Sequence, residues 1–225
     1  SYRGIDDHSY YLSGTTGRYL DYTGCGNTTR CAHPLTRLLV LSSVQHWAAR
    51  MGVDGFRFDL ASVFARNEDG SINTESPAIA TELTAAALMF DLRLVAEAWD
   101  INAYLLGRSF PGLAWRQWNG QFRDDLRSFV KGDAGMVGAL MRRLYGSDDL
   151  FPDGPGDVYR PYQTVNYITS HDGFCLYDLV AYNEKHNEAN GQANRDGPAD
   201  NRTWNCGWEG DDGAPPEVLA LRRQQ

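Results

Sequence analysis

The chain has 225 residues, 42% of them hydrophobic and 22% charged, which is enough for one sizeable domain with its own core. A net charge of −8 and an isoelectric point near 5.1 disfavour a nucleic-acid or anionic-membrane surface, which needs clustered Lys and Arg. The apolar stretches are too short to cross a bilayer, and neither a secretory nor a transit segment is recognised.

The predicted elements alternate between helix and strand along the chain. In order, they are a loop at 1–33, a helix at 34–51, a strand at 54–60, a helix from Ser76-Pro77 to about Asp91, a strand at 92–98, a helix at about 133–145, a linker at 151–163, a strand at 165–170, a polar loop at 183–213 and a helix-like end at 216–223. The alternation is typical of a parallel α/β fold.

Two helices show an apolar periodicity. In the helix at 34–51, Pro34 suits the first turn and Gly52 the C-cap. Its apolar residues are predicted to continue along one face: Leu35, Leu38, Leu39, Val40, Val44, Trp47 and Met51. The helix after Ser76 is predicted to turn inward Ile79, Leu83, Ala87 and Phe90.

The four cysteines lack CxxC spacing and do not form a plausible zinc set. We expect buried, reduced thiols at Cys25, Cys31, Cys175 and Cys206 rather than disulfides. The acidic pairs Asp6-Asp7 and Asp211-Asp212 lack EF-hand spacing and are expected to be solvated loop acids. No metal site is predicted.

Three predicted strands each end in a carboxylate. Asp59 closes GFRFD at 55–59, Glu97 closes LVAE at 94–97, and Asp172 follows the apolar run at 165–168. Acids delivered by separate strand ends are how a parallel barrel assembles an active site. We therefore predict a partial (β/α)8 barrel in which these three acids converge.

These residue types suit cleavage of a glycosidic bond, which needs one ionised carboxylate and one carboxyl group kept protonated. Arg57 lies two residues before Asp59, so both side chains point to the same side of a strand, and the guanidinium would keep Asp59 ionised. Apolar surroundings and a neighbouring negative charge would raise the pKa of Glu97. His171 and Asp172 could hydrogen-bond sugar hydroxyls.

Each of these signals also has a simpler interpretation. An Asp after an apolar run is often a helix cap or a loop acid. Arg57 and Asp59 could form a purely structural ion pair, and His171 could satisfy a backbone carbonyl. The hypothesis of glycosidic-bond cleavage therefore rests on the three acids at three strand ends taken together.

The segments GFRFD at 55–59, AEAWD at 96–100 and SHDG at 170–173 resemble three of the four signature regions of the α-amylase superfamily. The rest of the chain resembles its isoamylase and glycogen-debranching branch. Matching stretches are YTGCGN at 22–27, WNG at 118–120, FRDD at 122–125, KGD at 131–133, YN at 182–183, KHN at 185–187, NRDG at 194–197 and WNCG at 204–207.

The resemblance implies a role for each matched residue. Asp59 would be the nucleophile, Glu97 the acid/base and Asp172 the third acid, which stabilises the distorted sugar. Arg57 would orient Asp59, and His171 would contact the sugar. The implied reaction is retaining hydrolysis of α-1,6 branch linkages in glycogen, amylopectin or limit dextrins, without a cofactor.

Aromatic side chains are candidates for stacking on the glucan, with core packing as the alternative for each. They are Tyr10, Tyr11, Trp99, Trp115, Trp118 and Trp204, of which Trp99 stands beside Glu97 in the sequence.

We expect the chain to be an internal fragment that covers roughly barrel strands 4 to 7. The superfamily's first signature region, an Asp followed by Asn-His, is missing, and His33 does not substitute for it. Residues 1–225 would then belong to one catalytic domain, without its flanking strands and accessory β-domains. A bacterial cytoplasmic location is expected, with a plastid as the alternative for a plant or algal source.

Three other functions remain open at this stage. The chain could act on another glucan linkage, as a trehalose-releasing enzyme or a transferase does. It could be a non-catalytic glucan-binding subunit, although such a protein would be free to lose the acids that are present here. A metal-dependent phosphohydrolase would need clustered ligands, whereas the segment at 59–61 offers one acid.

Overall fold

The computed structural model describes residues 2–156 and 160–225, which fall into two units. The first unit is drawn from residues 2–118, 148–156 and 160–165, and the second from residues 119–147 and 166–225. Part of the predicted linker, residues 157–159, lies outside the described residues.

A four-stranded parallel sheet organises the first unit, with the parallel α/β arrangement that the sequence predicted and one strand more than the three it placed. Its strands, in spatial and chain order, are β1 (Gly55–Phe58), β2 (Arg93–Ala96), β3 (Arg116–Trp118) and β4 (Thr164–Val165). Gly55 pairs with Arg93, Val95 with Arg116, and Gln117 with Thr164. All four strands run in one direction, so their carboxyl ends share one edge of the sheet.

Strand β3 was missed because its three residues are not an apolar run. Gln117 is fully buried, and its side-chain amide bonds both the amide and the carbonyl of Gly107, at 2.7 and 3.1 Å. Burial of this polar side chain is possible because both ends of the amide are satisfied.

Strand β4 is shorter than the strand predicted at 165–170 and ends at Val165. In the second unit, the carbonyl of Ile168 accepts hydrogen bonds from the Arg127 guanidinium at 2.9 and 2.5 Å. That carbonyl is thus engaged by a side chain rather than by a strand ladder.

The first unit has three α-helices, at Arg3–Tyr10 (α1), Pro34–Met51 (α2) and Ala78–Phe90 (α3). The prediction of loop throughout 1–33 is wrong at α1. This helix kinks at Asp6, whose carboxylate accepts from the Ser9 amide and hydroxyl, and the Thr36 hydroxyl donates to the Ser9 carbonyl at 2.6 Å. Such contacts stabilise a helix that its sequence alone would not support.

Helix α2 has the predicted bounds, and Gly52 adopts the left-handed C-cap conformation with φ of 69°. The predicted apolar face is confirmed at Val40 and Val44, which pack in the core, but not over its full length. Thr36 and Val44 are the buried residues of α2, and several of its large apolar side chains are exposed. These are Leu35, Leu38, Trp47 and Met51. The buried face is the one that contacts α1 and α3. The positions of the leucines do not predict this face, because packing against the neighbouring helices decides which side chains are buried.

Helix α3 and strand β2 build the core of the first unit. Ile79, Leu83 and Ala87 are buried as predicted, whereas Phe90 is half-buried. They pack in one cluster with Leu94, and Trp115 lies at its centre, fully buried. The helix begins after Pro77 rather than with Ser76 as its cap.

The second unit contains the helices α4 (Gly120–Lys131), α5 (Val137–Leu144), α6 (Asp178–Ala181) and α7 (Pro216–Arg222). The helix predicted at 133–145 corresponds to α5, and α4 was missed. Asn119 caps α4 by accepting from the Phe122 amide at 2.8 Å, and Gly132 ends it at φ of 91°. Its buried residues include Arg127 and Ser128, so polar side chains occupy its buried face.

The polar segment at 183–213 is irregular apart from a short 3₁₀ turn at Glu188–Asn190, as expected of a loop. The four cysteines are free. Cys31 and Cys206 are buried, but the prediction is wrong for Cys25 and Cys175, which lie exposed in loop segments. Across the described ranges, every helix is too short or too polar to traverse a bilayer.

We expect Gly55→Ala to destabilise the sheet. A Cβ atom at this position would lie 2.4 Å from the carbonyl oxygen of Arg93, on the neighbouring strand, so β1 and β2 would have to separate. A loss of about 1–3 kcal/mol in the free energy of unfolding is expected, measured by chemical denaturation. Gly4→Ala is the matched control, because a Cβ there meets nothing within 4 Å in α1. A Gly55→Ala protein as stable as the control would contradict the register of this sheet.

Candidate active site

The C-terminal ends of β1 and β2 place an arginine between two carboxylates. Arg57 Nη1 lies 2.7 Å from Asp59 Oδ1, and Arg57 Nη2 lies 2.7 Å from Glu97 Oε1. One carboxylate oxygen of Asp59 lies within 4.8 Å of one of Glu97. The prediction that Arg57 and Asp59 share a side is confirmed, and Glu97 joins them.

The two carboxylates have opposite environments. The Asp59 side chain is 67% exposed, whereas that of Glu97 is 3% exposed. Glu97 Oε2 accepts a hydrogen bond from the Leu60 amide at 2.9 Å, so both of its oxygens are engaged. The same protein therefore offers one carboxylate to solvent and encloses the other.

Backbone hydrogen bonds hold Glu97 in register with β1. Its amide donates to the Phe58 carbonyl at 3.1 Å, and its carbonyl accepts from Ala61 at 2.8 Å. Leu60 adopts the left-handed conformation with φ of 42°, which a leucine rarely does. This turn brings the Leu60 amide to the Glu97 carboxylate.

Burial raises the pKa of Glu97 above its ordinary value of 4.5. The Leu60 amide and the Arg57 guanidinium act in the opposite direction, and the negative charge and hydrogen bond of Asp59 add to the rise. The predicted elevation is confirmed in direction, with removal from water as its largest cause.

An aromatic ring also packs against the plane of the Arg57 guanidinium. Its guanidinium carbon lies 4.5 Å from the centre of the Trp118 ring at the end of β3, a distance at which a cation and an aromatic face attract each other. Trp118 thus contacts the arginine that spans the two acids, so β3 contributes to the site together with β1 and β2.

Another arginine, which is buried, supports the turn that follows Glu97. Arg66 binds Asp100 through two 2.8 Å contacts, with side chains 5% and 0% exposed. Arg66 also donates to the Gly70 carbonyl at 2.7 Å and lies 3.4 Å from the centre of the Tyr22 ring. The motif at 96–100 contains Asp100, but the sequence did not indicate its partner, 34 residues away.

Asp100 shapes the turn that carries Trp99. Its carboxylate accepts from the amides of Asn102 and Ala103, both at 2.9 Å. Trp99 then pairs with Tyr104 across an antiparallel bridge, and their rings stack with centres 5.8 Å apart. Half-buried Trp99 is thus fixed two residues after Glu97.

His171 and Asp172 lie in the second unit, in an irregular segment. His171 Nε2 is 3.7 Å from Asp172 Oδ2, and both side chains are more than half exposed. They line a polar cavity of about 550 Å³ with residues of the 183–213 loop, among them Lys185, His186 and Asn190. The expected convergence of Asp172 with Asp59 and Glu97 stays a prediction.

Glu209 organises the loop that borders this cavity. Its carboxylate accepts from the Asn183 and Glu184 amides and from the Asn205 side chain, and it lies 3.0 Å from His186 Nε2. Burial acts to raise the pKa of Glu209, but these hydrogen bonds outweigh it and lower the pKa to about 2. The loop therefore has a fixed anionic centre.

The other aromatic candidates for stacking have different surroundings. Trp115 is fully buried and donates to Thr84 at 3.0 Å, so its proposed role in glucan stacking is wrong and core packing applies. Tyr11 is also buried, and Tyr10 stacks on Tyr2. Trp204 lines an apolar cavity of about 530 Å³ in the second unit.

No family model matches the chain. Among curated proteins, it is similar to the chloroplastic isoamylase 3 of Oryza sativa subsp. japonica, with 45% identity over 229 residues, which is all of this chain and 28% of the relative. The GlgX homolog of Mycobacterium tuberculosis, named a glycogen operon protein, is 44% identical over 231 residues, again all of this chain and 31% of the relative. The chain thus spans less than a third of these relatives.

Solved structures of pullulanases share the fold. That of Bacillus acidopullulyticus has a TM-score of 0.61 and 28% identity, covering 79% of this chain and 22% of that one. A pullulanase from Anoxybacillus sp. LM18-11 complexed with maltotetraose has a TM-score of 0.62 with 24% identity, covering 79% of this chain and 26% of that one. The α/β class, as a partial (β/α)8 barrel, and the resemblance to the isoamylase branch are both confirmed.

We expect Asp100→Asn to destabilise the protein by about 3–5 kcal/mol, because it leaves the buried Arg66 guanidinium without its counter-charge. Chemical denaturation measures the change. Glu68→Gln is the matched control, since it removes an ion pair with Arg30 in which Glu68 is 47% exposed, and such surface pairs contribute about 0–1 kcal/mol. Equal effects of the two substitutions would show that the Arg66–Asp100 pair does not hold this turn.

The raised pKa of Glu97 predicts a pH-dependent stability. Because the folded state binds the Glu97 proton more tightly than the unfolded state, this group stabilises the fold at low pH, and that contribution is lost as pH rises through its folded pKa. The unfolding free energy of the wild type, minus that of Glu97→Gln, should therefore fall as the pH rises above about 4.5, the ordinary pKa of this group. Denaturation at a series of pH values measures this difference. A difference that rises with pH would mean that the charge of Arg57 affects the pKa of Glu97 more than burial does.

Proposed function

We propose that this chain, a homologue of isoamylases and GlgX proteins, forms part of the catalytic barrel of a retaining glycoside hydrolase that cleaves α-1,6 branch linkages in α-glucans. One observation carries the proposal. An exposed carboxylate and a buried carboxyl group of raised pKa lie within 4.8 Å at adjacent parallel strand ends, with one guanidinium between them.

This spacing favours retention over inversion. Retaining glycosidases place their two carboxyl groups about 5–5.5 Å apart, whereas inverting enzymes leave about 6.5–9.5 Å for an intervening water molecule. One oxygen of Asp59 and one of Glu97 lie within 4.8 Å of each other, which is nearer to the retaining spacing than to the inverting one.

The two environments support the following roles. In the first step, a carboxylate oxygen of Asp59 attacks the anomeric carbon while Glu97 donates its proton to the departing glycosidic oxygen, so that the C–O bond breaks and a glycosyl ester forms. In the second step, Glu97 removes a proton from water, which attacks the same carbon and releases Asp59 as a carboxylate. Two displacements restore the original anomeric configuration.

Arg57 contacts both acids through its two amino groups. One amino group donates to the Asp59 carboxylate, and the other donates to Glu97 and fixes the direction of that carboxyl group. Because Trp118 packs on the guanidinium, Arg57 keeps one geometry while the charge on Glu97 changes through the cycle.

Asp172 and His171 are proposed as the groups that bind the sugar at the reacting centre. Their exposed polar side chains and the polar cavity that they line suit the hydroxyl groups of a neutral carbohydrate. Trp99, half-buried beside Glu97, is proposed to contact a neighbouring glucose unit through its ring. No cofactor enters these steps.

The similar proteins support the linkage and the substrate. The relatives carry the names isoamylase and glycogen operon protein, and the solved structures are pullulanases, one of them complexed with maltotetraose. We infer a branched α-glucan of the glycogen or starch type as the substrate. The compartment would be the cytoplasm in a bacterial host and the plastid in a plant or alga.

The proposed enzyme is longer than this chain, because its relatives are more than three times its length. Residues 1–225 would supply barrel strands 4 to 7, and the remaining strands and accessory β-domains would lie elsewhere in the complete polypeptide. Activity is accordingly assigned to that polypeptide.

We expect Asp59→Asn and Glu97→Gln, made in the complete polypeptide, each to lower the release of linear chains from a branched dextrin by at least about 1,000-fold, because each removes a group used in bond cleavage. Reducing ends and chain lengths are measured after incubation. Asp54→Asn is the matched control, an exposed acid just before the N-terminal end of β1, and it should retain activity.

Three outcomes would contradict the proposal. Undiminished activity of both variants would exclude the assigned acids. Trehalose or a transfer product instead of linear chains would indicate another linkage or reaction. Saturable glycogen binding by the wild type without any turnover would indicate a non-catalytic glucan-binding protein.

A further inference from the structure

We propose that Asn201 and Arg127 are positioning residues that hold His171 and Asp172 in place from outside the cavity. This inference rests on the proposed function, in which Asp172 acts on the reacting sugar. The sequence singled out neither residue for this role, and both are buried in the second unit.

Asn201 fixes the chain immediately after Asp172. Its side-chain oxygen accepts from the Phe174 amide at 3.1 Å, and its side-chain nitrogen donates to the Pro198 carbonyl at 3.0 Å. Asn201 is 5% exposed, so water does not replace these bonds without opening the loop. The amide therefore ties the segment at 173–174 to the 183–213 loop.

Gly173 makes this contact possible. It has a φ of 77°, and a Cβ atom built on it would lie 2.4 Å from the Asn201 side-chain oxygen. Only a glycine allows Asn201 to approach this closely while the backbone adopts the left-handed conformation. The SHDG motif at 170–173 is thus completed by a residue 28 positions beyond its last member.

Arg127 fixes the chain before His171. Its guanidinium donates to the Ile168 carbonyl from Nε at 2.9 Å and from Nη2 at 2.5 Å, and Nη1 donates to the Asn201 carbonyl at 3.0 Å. The Arg127 side chain therefore contacts the backbone that precedes His171 and Asp172. It also contacts Asn201, which holds the backbone after them.

These anchors matter because residues 169–172 lie outside any strand or helix. Because Asp172 lies in an irregular segment, the position of its carboxylate depends on how the backbone is held before and after it. A displacement of about 1 Å at a catalytic group is enough to lower a rate about 100-fold. Hydrogen bonds from the buried residues Arg127 and Asn201 to the backbone of Ile168 and Phe174 limit such a displacement.

The test is a double-mutant cycle in the complete polypeptide, using Asn201→Ala and Asp172→Asn. If Asn201 acts through Asp172, Asn201→Ala should lower kcat on a branched dextrin about 10- to 100-fold with little change in KM. In the Asp172→Asn background, the same substitution should change kcat less than about 3-fold. A purely structural role would lower kcat by the same factor in both backgrounds, and that result would overturn the inference.

Asn194→Ala is the matched control. Asn194 also bridges two backbone groups in the same loop, the Asn187 amide at 3.1 Å and the Lys185 carbonyl at 2.7 Å, and both of these groups lie outside the segment at 168–174. Its effect on kcat, whatever its size, should be the same with and without Asp172. Non-additivity as large as that of Asn201→Ala would show that the loop as a whole, rather than Asn201, positions the acid.

Hydrogen exchange tests the anchoring separately from catalysis. Asn201→Ala and Gly173→Ala should both speed amide exchange across residues 168–174, with Phe174 changed most, whereas Asn194→Ala should leave this segment protected. Unchanged protection in Asn201→Ala would overturn the inference. If the wild type leaves branched glucan intact, the proposed function fails, but the exchange result still decides whether Asn201 and Gly173 fix this segment.

Discussion

The contact between Arg57 and two carboxylates is the interaction on which the site depends. A single guanidinium lies 2.7 Å from both Asp59 and Glu97, and it can do so because β1 and β2 are adjacent and parallel. Parallel pairing brings the two strand ends to one edge, and the pleat places Arg57 on the same side as Asp59. The chemistry proposed here therefore follows from the register of two four-residue strands.

Burial then gives the two acids different environments. Both contact the same arginine, so charge alone would treat them alike. Glu97 is enclosed by the turn at Leu60 and by the core behind β2, whereas Asp59 stays open to solvent. Desolvation penalises the ionised form of the enclosed group, which raises its pKa and suits the role of proton donor that is proposed for it. The unusual backbone conformation of Leu60 is part of this arrangement.

Buried polar side chains hold the loops around the acids in both units. Arg66 clamps the turn after Glu97, Gln117 satisfies the backbone beside β3, and Arg127 with Asn201 flanks the segment of Asp172. In each case a side chain replaces hydrogen bonds that a regular ladder would have made, since a buried backbone group without a partner is costly. The proposed active-site groups thus stand on irregular segments whose rigidity comes from polar contacts.

The sequence by itself determined the strand ends at Asp59 and Glu97, helix α2, and the family resemblance, because these depend on local apolar runs, capping residues and motifs. It predicted neither β3 nor α4, whose buried residues Gln117 and Arg127 are polar. It also left Trp115 open between glucan stacking and core packing, and the core encloses this side chain. Only the tertiary structure decided which residues of α2 are buried, where Trp115 lies and which distant partners hold Asp100 and Phe174, because burial and long-range hydrogen bonds arise from packing between segments that are far apart in the chain.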